Sequence, residues 1–145
     1  MAADLTAITA LGMVVLYQVG LVRHLPDAGL HGAASDRVAG SPRAYWVLHT
    51  PDAALGIASY ATTVVLAAAG GADRYRKAPW LSYLFASKLL ADGVVATVLL
   101  REERRAREGV CSWCLVASVA ALLAAPLGIP EALAAIRRAP GPGQR

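Results

Sequence analysis

The chain has 145 residues, a net charge of +4, 57% hydrophobic and 17% charged side chains, and a mean hydropathy of +0.48. Soluble domains average about 45–50% apolar and 25% charged residues, and a body this small has too much surface per volume to hide the excess from water. A water-soluble monomer is therefore excluded, disorder fails for want of low hydrophobicity, and basic residues scattered between apolar blocks offer no patch to nucleic acid.

In chain order, residues 5–22 form a first block without a charge, close to the roughly 20 residues a helix needs to cross a bilayer. Asp4, with no Lys or Arg around it, sets this block apart from a cleavable signal peptide, whose leading region is basic. The connection 23–52 is the longest. Within it Ser41 and Pro42 read as cap and first position of a short helix around 43–48, a lid with Tyr45 and Trp46 at the interface. Thr50, Pro51 and Asp52 repeat that grammar as cap, first position and dipole-facing acid of the second block, 53–72. A tight basic link, 70–79, leads to the third block, 78–100, whose charges Lys88 and Asp92 lie four apart on one helical face and can pair. The mixed run 101–108 extends this helix into water, and the fourth block, 109–130, is again free of charge.

Helices are the element a lipid-exposed backbone demands, and the blocks lack the alternation of a β-barrel. The predicted fold is all-α: an integral membrane four-helix bundle over residues 1–136, with spans about 4–22, 52–72, 78–100 and 110–130, then a disordered tail at 137–145. Four spans put both termini on one side. Basic residues divide almost evenly between the two faces, so their distribution does not set the orientation.

The chemistry gathers in the two cysteines of the chain, Cys111-Ser112-Trp113-Cys114, at the start of the fourth span. Spacing i, i+3 in a first helical turn suits a disulfide, and the orphan amides there favour the thiolate that attacks disulfides and electrophiles. Two thiolates are only half of a tetrahedral zinc set with no nearby His or Cys to complete it, so no metal is expected. The bland alternative is a pair of inert buried thiols. Against it stands their place at a water–lipid boundary, where protein thiols arrive from water and a quinone arrives through the bilayer.

The stretch from Ser41 to Tyr60, with its Pro-Asp-Ala-x-x-Gly-x-x-x-Tyr pattern, followed by Cys111-Ser-Trp-Cys114-Leu, resembles the vitamin K epoxide reductase family, over residues 5–129. The resemblance implies a four-helix membrane bundle with a quinone (ubiquinone, menaquinone or phylloquinone) between the helices and the C-x-x-C at the exoplasmic end. It implies that Cys114 faces the quinone while Cys111 exchanges with the thiols of a thioredoxin-like partner. By position Asp52 and Ser118 stand where other members carry a quinone-binding amide and a tyrosine. Asp52 reads equally as a helix-start acid, and Trp113 as an interface anchor or a ring against the quinone. The family's second cysteine pair, in the first loop, is missing: Ala-Ser-Asp-Arg-Val, 34–38, stands there instead.

The function expected is a membrane thiol:quinone oxidoreductase, forming disulfides or reducing quinone or vitamin K, in a bacterial plasma membrane as the Arg-rich, Lys-poor composition suggests. Two alternatives stand beside it: a non-enzymatic membrane scaffold or subunit, and a small carrier using Lys88 and Asp92, which otherwise form a structural ion pair or a proton path. His24, His31 and His49 are too widely spaced for a site and read as loop histidines.

Overall fold

The computed structural model describes residues 1–27, 34–46, 49–69, 71, 74–106 and 109–138. Their regular structure is helical: α1 (Ala2–Gln18), α2 (Ser35–Ala39), α3 (Asp52–Ala68), α4 (Arg74–Lys77), α5 (Pro79–Ala106), α6 (Ser112–Ala124) and α7 (Ile129–Arg138). Tighter 3-10 turns occupy Pro42–Tyr45 and Ala125–Gly128. The first three apolar blocks form α1, α3 and α5, and the fourth is divided among α6, the 3-10 turn after it and the start of α7; α1 packs on α3 and α6, and α5 packs on the same two.

Small side chains make that packing tight. Ala7 and Ala10 of α1 and Ala117 and Ala120 of α6 are buried in one cluster, and small residues let helix backbones approach closely. At Gly56 of α3 a β-carbon would stand 2.6 Å from Leu11 Cδ1, so the Leu11 side chain of α1 packs into the space that the glycine leaves. The outer faces are apolar and open: Val65, Leu90, Val94, Val98 and Leu123 are all exposed. Such a belt is costly in water and suited to lipid. Helix α5 and the nearly continuous helical run Ser112–Arg137 are long and apolar enough to cross a membrane, whereas α1 and α3 are apolar but shorter, at 17 residues each.

Local detail departs from the sequence reading in several places. The short helix after Ser41 is a single 3-10 turn, Pro42–Tyr45, and Trp46 at its end leaves 87% of its surface exposed. Residues 47–48 lie outside the described set, as do His31 and the link residues 72–73. Helix α3 starts at Asp52 with Pro51, not Thr50, in the cap position. Pro126 ends α6 in a 3-10 turn, but the chain then resumes as α7, which carries helix to Arg138, into the region expected to be tail. Residues 139–145 are outside the described set. Helix α2 was not anticipated.

Lys88 and Asp92 do meet. The ammonium of Lys88 contacts both carboxylate oxygens, at 2.5 and 2.6 Å, and also reaches Ser59 Oγ at 2.9 Å and Thr63 Oγ1 at 3.2 Å. Ser59 and Thr63 in turn donate to Asp92 at 3.0 and 2.9 Å. This network pins α3 to α5.

Candidate active site

Two connections build the cysteine site. Gly109, in the left-handed region at φ +102°, turns the chain between α5 and α6, and Cys111 then caps α6. Its Sγ accepts the Cys114 amide at 3.2 Å, one of the orphan donors of a helix start. Both cysteines are free thiols in this state. Their surroundings differ sharply. Cys111 is 0% exposed, while Cys114 lines a cavity between the helices.

The cover over Cys111 comes from the first connection. The Ala34 amide bonds the Val110 carbonyl at 3.1 Å. Next to it, Ser35 Oγ accepts the Ser112 amide at 3.1 Å, lies 3.0 Å from Ser112 Oγ, and sits beside the Cys111 sulfur. Trp113 Nε1 donates to the Pro26 carbonyl at 2.9 Å. The cover is stapled in turn by Asp36, whose carboxylate accepts the Leu25 amide at 2.7 Å and faces His24 Nδ1 at 2.9 Å. The Leu25 amide first, and then His24, hold this carboxyl below its ordinary value.

The cavity, of about 200 Å³, lies between α1, α3, α5 and α6. Leu11, Ala53, Ala96 and Ala117 give it apolar walls, and Cys114, Asp52 and Ser118 stand on it together. Val95 and Leu99 line it and are also exposed on the outside of the fold, so it opens through the flank between helices. Tyr60, Ser59 and Asp92 lie on its α3–α5 wall. Of the residues singled out in the sequence, Asp52, Cys114 and Ser118 come together here. Trp113 and Cys111 are not among the lining residues.

Asp52 is anchored: its Oδ1 accepts Gln18 Nε2 at 2.8 Å, and the same nitrogen donates to the Ala39 carbonyl at 3.2 Å. Sequence reasoning missed two residues. Ser35 lies 77 positions from its partner Ser112, and no local pattern announces such a contact. Glu103 lines the cavity from within the charged run that had read as a solvated face. A signal for it existed, since Asp92, Ala96, Leu99 and Glu103 recur at helical spacing along one stripe.

A comparison with protein families matches residues 1–129 to the model described as the vitamin K epoxide reductase family. No curated protein and no solved structure matches the chain.

Proposed function

The chain belongs to the vitamin K epoxide reductase family, and from that premise we propose that it is a four-helix membrane thiol:quinone oxidoreductase in which Cys111 and Cys114 cycle between dithiol and disulfide. The family consists of membrane-embedded, quinone-linked oxidoreductases that work with thioredoxin-like partners. The observation that carries the reading for this chain is the unequal placement of the two thiols: Cys114 on an apolar cavity open to the flank, Cys111 one turn earlier at the helix start, buried under the loop.

The residues present fit a quinone head group. The walls are apolar, two small polar residues stand near the thiol, and the opening through the flank leaves room for an isoprenoid tail to pass between helices. The cavity is smaller than the roughly 300–1,000 Å³ of sites for drug-sized ligands, a size for a ring alone. Asp52, held by Gln18, and Ser118 would orient the ring, and Cys114 faces it. A bound quinone supplies an acceptor for two electrons and two protons.

Within the chain, the Cys111 side of the pair receives electrons and the Cys114 side gives them up. A partner thiolate attacks Cys111 in the disulfide and forms a mixed disulfide, which frees Cys114; the partner's second thiol then attacks that mixed disulfide, so the partner leaves as a disulfide and the Cys111–Cys114 dithiol is released. The α6 amides favour the thiolate at this helix start. Because the first loop carries no cysteine pair, the partner must reach Cys111 directly, which requires the Ser35 and Trp113 contacts to open. We place the C-x-x-C at the exoplasmic face of a bacterial plasma membrane, with disulfide formation as the net result.

The test is quinol formation by detergent-purified protein with dithiothreitol as thiol donor, read above the uncatalysed background. Wild type is expected to turn over, and Cys111→Ser and Cys114→Ser each to fall to background with the helical content unchanged. Turnover that survives both substitutions would contradict the proposal.

A further inference from the structure

Glu103 stands one turn before the end of α5, at the cavity wall that Cys114 also lines. Its neighbour Glu102 is exposed and pairs with Arg105 at 3.1 Å. Glu103 differs: its Oε2 is enclosed and has no hydrogen-bond partner among the described residues, and the Cys111 amide faces its carboxyl. Native folds seldom leave a buried carboxylate oxygen unpaired, because its desolvation goes uncompensated. A proton on that oxygen relieves the cost. Asp52 is the other carboxyl of the cavity rim, and it is already held by Gln18.

We propose that Glu103 is the proton carrier of the site, taking the proton of the Cys114 thiol as its thiolate forms and holding it at the cavity wall for the oxygen that receives the electrons. The inference rests on the thiol:quinone reading. Closing the Cys111–Cys114 bond breaks two S–H bonds and releases two electrons and two protons. The quinone, the co-substrate, takes up both electrons and two protons. Glu103 carries the proton of Cys114. The Cys111 proton passes to water, and an equal proton enters from water at the rim, where Glu102 is exposed.

The groups that face Glu103 define what a titration can report. Cys111 and Cys114 on α6 and Asp52 on α3 act on it directly. Arg43, from the 3-10 turn, and Glu102 stand at the rim of the same cavity. Further along α3 and α5 are Tyr60 and Asp92, the latter held by Lys88.

The experiment measures the rate of Cys114 alkylation against pH in reduced, quinone-free, full-length protein, resolved by peptide mass spectrometry. A thiol that shares a proton with a carboxyl titrates as a pair, in two macroscopic steps. Measured in the Cys111→Ser background, so that the second thiol adds no step of its own, the parent is therefore expected to show two rises in rate, the added Glu103→Gln a single rise, and Glu103→Asp two again. Quinol formation by Glu103→Gln should fall about 100-fold, the usual scale of lost acid–base catalysis. A single rise in the Cys111→Ser parent overturns the inference, and so does wild-type turnover in Glu103→Gln with Cys111 in place. If wild type itself makes no quinol, the functional reading fails, whatever the shape of the profile.

Discussion

Two buried polar regions lie along the same helix, α5, and are built to opposite rules. At Lys88 and Asp92 every charge has partners: the ammonium meets both carboxylate oxygens and two hydroxyls, and those hydroxyls return to the carboxylate. At the cysteine end, the enclosed side-chain atoms without partners among the described residues are Gln18 Oε1 and Glu103 Oε2. A satisfied network holds helices together, because removing any member strands the others. An unsatisfied one has capacity left for a ligand or a proton. The comparison assigns structure to the first region and chemistry to the second.

The largest expected effect breaks the chemical half. Cys114→Ser should reduce quinol formation to background while the unfolding transition in detergent moves little, since sulfur and hydroxyl are close in size. A large loss of stability with retained turnover would reverse the assignment of the two regions.

Lys88→Met should do the opposite. Stranding Asp92 without its cation is expected to destabilise the fold by roughly 3–5 kcal/mol, read by thermal unfolding in detergent, with turnover per folded molecule retained. The double change Lys88→Met and Asp92→Leu should recover much of that stability, because a buried pair replaced by apolar residues is often neutral. Transport that depends on Lys88 and not on the cysteines would instead favour a carrier.

A smaller effect is expected at the cover over Cys111. Trp113→Phe removes the bond to the Pro26 carbonyl, a loss of about 1 kcal/mol, and should speed labelling of Cys111 by a water-soluble maleimide roughly 5-fold, that energy expressed as an opening ratio. Unchanged labelling would show that the loop opens elsewhere.

The smallest effect is a pH response of the same cover. Asp36 is held below its ordinary value of 3.8, chiefly by the Leu25 amide. A depressed carboxyl contributes stability that is complete above the unfolded value and lost as pH falls through the folded one. Protection of the Leu25 amide against hydrogen exchange should therefore persist at neutral pH and fade below about pH 4, and Asp36→Asn should remove the pH dependence of that protection.

How much of this was legible follows from the range of each interaction. The four long helices were readable because continuous apolar runs are local, and so was the Lys88–Asp92 pair, at i, i+4 on one helix. Asp52 and Cys114 were readable as helix-start residues. What sequence could not supply is the rotation of one helix against another. Glu103 and Glu102 are adjacent letters in a charged run, yet one turns to the cavity wall and the other pairs with Arg105 at the surface. Ser35 on Ser112 and Trp113 on Pro26 join segments 77 and 87 residues apart, and only the folded chain brings them together. Helix α7 was hidden because the fourth span was read through Pro126 and ended at Pro130, while the structure breaks α6 in a 3-10 turn at Pro126 and sets Pro130 inside a helix's first turn, where a missing amide costs nothing.

The most direct test counts thiols. Purified protein is reduced with dithiothreitol, freed of it without air, mixed with one equivalent of a ubiquinone or menaquinone analogue, and labelled with a maleimide that adds mass. The account predicts that quinone removes both free thiols in wild type, as the Cys111–Cys114 disulfide forms, and leaves the remaining thiol of Cys114→Ser untouched. Two free thiols persisting in wild type with quinone present would contradict it, and would leave the bundle as a scaffold with two inert cysteines.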